Sequence, residues 1–354
     1  MEFRINNFDF IRLFAATQVV IGHGFRDFDI EMNPFVKQIL SAFPGVPIFF
    51  VISGFLISAS LDRNPSLGRY FVNRFLRIYP GLWVCFLVSL LSIAVFYRPV
   101  VSLGEFVPWV LAQVSVGQFY NPEFLRGYGI GVLNGSLWTI PVELQFYILL
   151  PVLYWLLDRM SWSKWFICTF LAFLIIVNQI FWSYSLGNES IFAKLAGVTV
   201  FPYLFMFFLG VLLQKNQRFI EKYLKDKFLV IFAAYCALSM AAFLLGFRHG
   251  GTSFNPVSAV GLSLLVISLA YSYNGKLSNP LKGNDLSYGI YIYHMIWANM
   301  LVHHSSLPGL VNFSLVITAT FASAALSWKF VEKPALGLKS SGLIAFKFPW
   351  NRGV

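Results

Sequence analysis

Charge is what this sequence has least of. Among its 354 residues only 12% are Asp, Glu, Lys or Arg, about half the share carried by a water-soluble domain. A surface so poor in charge cannot face water all round, which excludes a soluble globular enzyme. Disorder is excluded from the other side. It needs low hydrophobicity, and this chain is 58% hydrophobic with a mean hydropathy of +0.69. Strand-like alternation is missing as well, so an outer-membrane barrel does not fit. The fold class expected is all-α, a polytopic bundle of membrane helices with all backbone groups satisfied inside each span.

Cysteine is scarce. Cys85, Cys168 and Cys236 each sit inside an apolar run, with no metal or disulfide spacing, and read as small buried hydrophobes. The five histidines show no paired carboxylates at ligand spacing, so no metal site is expected. There is no internal repeat and no hydrophilic extra domain. A cleavable leader is not expected either. Arg12 interrupts the first apolar stretch and no small-residue cleavage site follows, so the segment reads as a retained span.

What is present is a series of apolar runs long enough to cross a hydrocarbon core of about 30 Å. They lie near 8–24, 43–61, 78–97, 138–157, 164–184, 195–214, 228–246, 255–273, 286–302 and 309–329. An eleventh, 103–120, is weaker because it holds Glu105, Pro108, Gln113, Gly117 and Gln118. The net charge of +11 decides its status. If it does not span and the chain starts inside, most cations fall on the inner side, including Arg63, Arg69, Arg74, Arg77 and the lysines of 215–227. The positive-inside rule therefore expects ten transmembrane helices with both termini cytoplasmic, and 103–120 as an interfacial or re-entrant element on the outer face. Residues 1–334 form one transmembrane domain. Residues 335–354, with Lys339, Lys347, Phe348, Trp350 and Arg352, form a cytoplasmic tail that reads equally as an inner-surface anchor or as frayed chain.

An ionisable group at the bilayer centre costs about 2.5–3.5 kcal/mol on insertion scales. Four residues stand out against that cost: Arg12, His23, Glu143 and His294. Arg12 and His23 are eleven positions apart, about 16 Å along a helix, and eleven steps of 100° end only about 20° past three full turns. They share one face, Arg12 toward the cytoplasm and His23 toward the outside. Ala15, Ala16, Gly22 and Gly24 let another group approach. Snorkelling of Arg12 and a boundary position for His23 are the ordinary alternatives. Glu143 follows Trp138-Thr139-Ile140-Pro141, where a first-turn carboxylate suits the helix dipole. Its depth matches that of His23, so the two are expected to pair if their helices touch, orienting the ring and raising its basicity.

Other polar positions carry weaker signals. Ser53-Gly54-Phe55 lies mid-helix, where small-residue packing is the stronger reading. Arg69, Arg74 and Arg77, with Arg63, form an inner-face cluster suited to phosphate, to anionic lipid or simply to topology. Tyr291 and His294 are three apart and share a face, which an aromatic packing surface would equally explain.

In order along the chain these segments resemble the acyltransferase 3 family of integral membrane acyltransferases. Arg12 to His23 fits the family's leading arginine–ten–histidine spacing. Phe49 to Ile57 resembles its second-helix signature and Arg74-x-x-Arg77-Ile78-Tyr79-Pro80 its cytoplasmic arginine motif. Trp138 to Glu143 resembles its tryptophan–glutamate element, and Ser287 to His294 with Glu332-Lys333-Pro334 its late helices. The resemblance runs from about Asn7 to Pro334 and is to the stand-alone form, without the periplasmic esterase-like domain that some members add.

The resemblance implies an enzyme of the bacterial inner membrane. It would take an acyl group, usually acetyl, from cytoplasmic acyl-coenzyme A to a hydroxyl of a surface or exported glycan such as lipopolysaccharide or exopolysaccharide. His23 would be the catalytic histidine, Arg12 its essential partner, and Arg74 and Arg77 the donor contacts beside Arg69. No permanently bound cofactor is expected, acetyl-coenzyme A being a substrate. The expected chemistry makes His23 a general base, with Glu143 as its partner and Ser53, Tyr291 or His294 as oxyanion or acceptor-site donors. An acyl-histidine relay stays open. A transporter or flippase for a lipid-linked sugar is the rival, since buried charges and ten helices suit it too. The missing repeat and the inner arginine cluster count against it.

Overall fold

The computed structural model describes residues 7–63, 66–247, 251–273, 281 and 283–339. Among these the regular elements are helices alone. They are α1 (Phe8–Asp27), α2 (Pro34–Ala42), α3 (Gly45–Arg63), α4 (Leu67–Phe96), α5 (Leu103–Val114), α6 (Thr139–Arg159), α7 (Lys164–Ser185), α8 (Ile191–Gly197), α9 (Leu204–Lys215), α10 (Gln217–Phe219), α11 (Phe228–Leu244), α12 (Pro256–Ala270), α13 (Ser287–His304), α14 (Gly309–Ser327) and α15 (Lys333–Gly337). The protein is an all-α bundle of apolar helices. The tail expected over 335–354 lies outside the described residues from 340 onward, as does the N-terminal end before Asn7.

Each apolar run coincides with a helix, with one division. The run 195–214 is broken, its helix α9 beginning only at Leu204. Pro202 lies in the break. It has no N–H to give, and it disfavours the helical conformation at the residue before it. Its carbonyl takes the Asn178 amide at 2.7 Å instead. The weak 103–120 segment contains a helix of only 12 residues, α5, about 18 Å long and short of a bilayer core. Beyond it the chain folds back, held by Gln113 Nε2 on the Tyr120 carbonyl (3.0 Å) and Gln118 Nε2 on the Gln113 and Ser115 carbonyls (both 2.9 Å).

Five described helical stretches are long and apolar enough to cross a membrane alone: Pro34–Arg63, Leu67–Phe96, Gly135–Arg159, Lys164–Ser185 and Gly309–Gly337. Gln217–Leu224 and Phe228–Leu244 make a sixth only as a pair bent by 88°. Helices α1 and α13 have the length, 20 and 18 residues, but not the hydropathy. These are the helices that carry Arg12 with His23 and Tyr291 with His294.

The chain is divided into two compact units: Met1–Phe25, Glu31–Ala59 and Val152–Ser287 in the first; Arg26–Ile30, Ser60–Pro151 and Tyr288–Val354 in the second. In the first unit small residues let backbones meet. A Cβ on Gly45 would fall on the carbonyl oxygen of Ala15, where α3 begins against α1. A Cβ on Gly54 would fall on the carbonyl of Phe207, and one on Gly210 on the carbonyl of Val51, so α3 and α9 touch reciprocally. Nothing but glycine fits such a contact. Gly54→Val is therefore expected to destabilise the protein by about 3 kcal/mol, read as a lower melting temperature in detergent and a smaller folded fraction on size exclusion.

The second unit has its own core, in which Phe86 and Ile93 of α4 pack with Trp109 of α5 and with Leu125, Tyr128 and Leu133 of the following loop. That loop is tied to α13. Asn299 accepts from the Ile130 N–H (2.8 Å) and donates to the Val132 and Leu133 carbonyls (2.9 and 2.8 Å). Asn134 Nδ2 donates to Ile292 O at 2.7 Å. Gly129, at φ +55°, lies so close to Asn299 that a side chain has no room.

Candidate active site

The first unit places Arg12 by fixing both ends of its surroundings. Asn7 Nδ2 donates to the Leu269 and Ser272 carbonyls at 3.2 and 3.0 Å, which anchors the start of α1 to the end of α12. One and a half turns on, Arg12 donates from a guanidinium nitrogen to Asp285 Oδ2 at 3.0 Å. Asp285 Oδ1 accepts from the Ser287 N–H at 3.1 Å and from the Ser287 hydroxyl. One buried carboxylate thus joins Arg12 to the first residue of α13, and neutralises its charge where it stands. Asp285 was not among the residues singled out in the sequence. Its only local sign is the Asp-x-Ser pattern at a helix start, where a carboxylate caps a turn.

His23 lies three turns beyond Arg12 on α1 and is half-buried. Gly22 beside it leaves open space, with no heavy atom within 4 Å of where a Cβ would stand. Ala15 and Ala16 are fully buried. Ala15 lies where α3 begins against α1. Ser53 is buried next to Gly54 in the tight α3–α9 contact, which fits helix packing.

The second unit gathers the other candidates into one cluster. Tyr147 of α6 is buried, and its hydroxyl donates to Glu143 one turn earlier. Arg74 of α4 lies over the Tyr147 ring, 5.8 Å from its centroid. Tyr70, one turn before Arg74, donates its hydroxyl to the Tyr147 carbonyl at 3.0 Å. The arginine motif and Glu143 were expected at opposite depths. The structure sets both against the same tyrosine. Helix α4 starts at Leu67, well before the apolar run, so the turns counted as inner loop are helical, and Arg74 on them reaches Tyr147 of α6.

Arg77 lies over Tyr288, 5.9 Å from its ring centroid, and the Tyr288 hydroxyl donates to Ile78 O at 2.8 Å. Arg69 is exposed. The Arg74 Nε is buried and has no hydrogen-bond partner among the described residues. A buried donor left so favours an acceptor brought by a ligand.

His294 and Tyr291 are already engaged. His294 Nδ1 must donate to the Tyr291 carbonyl (2.8 Å), since a carbonyl only accepts, and Nε2 then accepts from Ser136 Oγ (3.1 Å). The Tyr291 hydroxyl donates to the Ser136 carbonyl at 2.6 Å and meets Thr139 Oγ1 at 2.7 Å. These bonds fix the turn Gly135–Trp138 from which α6, and so Glu143, departs. They favour a supporting role over oxyanion binding. Outside the apolar runs, Asp27 closes α1 with a buried side chain that accepts from Arg26 Nε at 2.7 Å. Burial pushes its carboxyl above the usual range, and the arginine opposes that rise.

Comparison with known proteins decides what this arrangement belongs to. The family model for acyltransferase 3, described as an acyltransferase domain, matches residues 5–331. The chain belongs to the acyltransferase 3 family. It is 32% identical to Nodulation protein 10 of Rhizobium leguminosarum bv. viciae, over 95% of this chain and 94% of that one. It is 26% identical to the O-acetyl transferase of Shigella phage Sf6, over 96% and 98%. The peptidoglycan O-acetyltransferase OatA of Listeria monocytogenes is 25% identical over 86% of this chain, which spans only 52% of that longer protein. No solved structure matches. As a member of the acyltransferase 3 family the chain is an acyltransferase of groups other than aminoacyl groups, and its apolar helices make it a multi-pass membrane protein.

Proposed function

We propose that this acyltransferase 3 protein is an O-acetyltransferase of the bacterial inner membrane. It moves acetyl from cytoplasmic acetyl-coenzyme A to a hydroxyl of a surface or exported glycan. The observation that carries the reading is the polar face of α1, with Arg12 held by Asp285 and His23 half-buried three turns on. Relatives matched over nearly their whole length include one named as an O-acetyl transferase.

In this reading the acceptor hydroxyl oxygen attacks the thioester carbonyl carbon. His23 takes the hydroxyl proton, the carbon–sulfur bond breaks, and the proton passes to the departing thiolate, giving free coenzyme A. A neutral imidazole accepts a proton readily, which suits that task. Glu143 supports the proton transfer. Arg74, through its buried Nε, and Arg77 take oxygens of the coenzyme, whose phosphates match the guanidinium fork.

The test is transfer in sealed inverted membrane vesicles supplied with radiolabelled acetyl-coenzyme A. Label is expected in the glycolipid fraction, and only in vesicles that contain the protein. Movement of glycolipid between leaflets with all label left on the coenzyme would overturn the proposal in favour of a flippase.

A further inference from the structure

Two pairs of residues interlock between α4 and α6. Tyr70 and Arg74 are four apart on α4; Glu143 and Tyr147 are four apart on α6. Each pair therefore presents one face of its helix. Tyr147 is the member that touches the other three. Its backbone carbonyl takes the Tyr70 hydroxyl at 3.0 Å, its ring lies under Arg74 at 5.8 Å, and its own hydroxyl donates to the Glu143 carboxylate. The side chain is buried, so neither ring nor hydroxyl has water as an alternative partner.

We infer that Tyr147 is a positioning residue for both halves of the reaction, its ring seating the donor-binding Arg74 and its hydroxyl orienting Glu143. The inference rests on the functional reading above for Arg74 and Glu143, and adds what holds them.

The two tasks use separate parts of one side chain. The guanidinium of Arg74 lies over the ring face at 5.8 Å, within cation–π range, and brings a planar fork of donors that a lysine ammonium lacks. Its buried Nε has no acceptor among the described residues, so the Tyr147 ring is a contact that can seat Arg74 within this cluster. The phenol hydroxyl, by contrast, is spent on Glu143. Its proton points at a carboxylate oxygen, which holds the rotamer of Glu143. Tyr70 completes the arrangement by holding the Tyr147 backbone against α4, so that ring and hydroxyl keep their places together.

The separation gives a test with two arms. Tyr147→Phe keeps the ring and removes the hydroxyl. Its kcat is expected to fall about tenfold, the usual weight of one hydrogen bond to a charged group. Its KM for acetyl-coenzyme A is expected to stay within twofold of the parent. Tyr147→Leu, or Tyr147→Met if the leucine variant does not fold, removes both. That variant is expected to show the same fall in kcat together with a rise of about fivefold in the donor KM.

Kinetics are taken per mole of folded protein, with melting temperatures recorded beside them. Tyr147→Phe that melts lower but turns over at the parent rate would mean the hydroxyl is merely structural, and would overturn the inference. So would an equal donor KM in the Phe and Leu variants. Glu143→Gln and Arg74→Lys are run in parallel. Parent-like kinetics in those two would instead defeat the functional reading itself, so the two failures are told apart.

Discussion

His23→Ala is expected to lower acetyl transfer by about 10²–10⁴-fold, the range that a positioned general base contributes. The amount of folded protein should not change. His23 is only half-buried, so its removal leaves no large closed cavity, and alanine is a better helix former than histidine. The Arg12–Asp285 pair lies three turns away and does not depend on the imidazole. The measurement is the initial rate of label transfer from acetyl-coenzyme A in vesicles with equal protein content. A variant that keeps a tenth or more of the parent rate would remove His23 from the mechanism.

The second large effect concerns Asp285, and is one of stability first. Asp285→Ala leaves the Arg12 cation without its carboxylate in a position where only a fifth of the arginine side chain is exposed. Breaking one side of a buried pair costs about 3–5 kcal/mol. The partial exposure of Arg12 places this case near 3 kcal/mol. The turn at Ser287 loses its acceptor as well. A strongly lowered melting temperature in detergent is the expected result.

The double variant Arg12→Leu with Asp285→Leu separates the two roles of the pair. Replacing both charges by apolar side chains is often neutral or stabilising, so its melting temperature should return most of the way. Its transfer activity should not, if Arg12 is the essential partner of His23. An active double variant would reduce the pair to scaffolding, and an unchanged melting temperature in Asp285→Ala would show that the pair contributes nothing to the fold.

The class of the protein was legible in composition, because a chain so short of charge has only the bilayer as its solvent. The helices were legible for a related reason, since each must carry its own apolar run. Their limits were less so. Helix α4 begins with Leu67–Arg77, where arginines interrupt the hydrophobicity that marks a span, although nothing there prevents a helix. Within α1 the shared face of Arg12 and His23 follows from periodicity alone. What periodicity cannot give is the partner from another element. Asp285 lies 273 positions from Arg12, and any of several carboxylates could have filled its place. Arg74 and Glu143 both meet Tyr147, and the turn of α4 that carries Arg74 is one a hydropathy reading treats as loop. Ser136 and His294 are 158 positions apart, and the histidine alone read equally well as a catalytic donor or as a packed one.

Asn299 has a consequence beyond the tie it makes between α13 and the loop before α6. Holding the backbone of one residue in a single conformation costs about 1–2 kcal/mol in lost freedom. Through Ile130, Val132 and Leu133, with Asn134 fastened to Ile292, that loss is incurred when the protein folds and not when a ligand arrives. The stretch from Ile130 to Asn134 thus has its shape set before any partner is met. Exposed side chains next to it, such as Glu123 and Arg126, lie outside these ties and can be exchanged without loosening them.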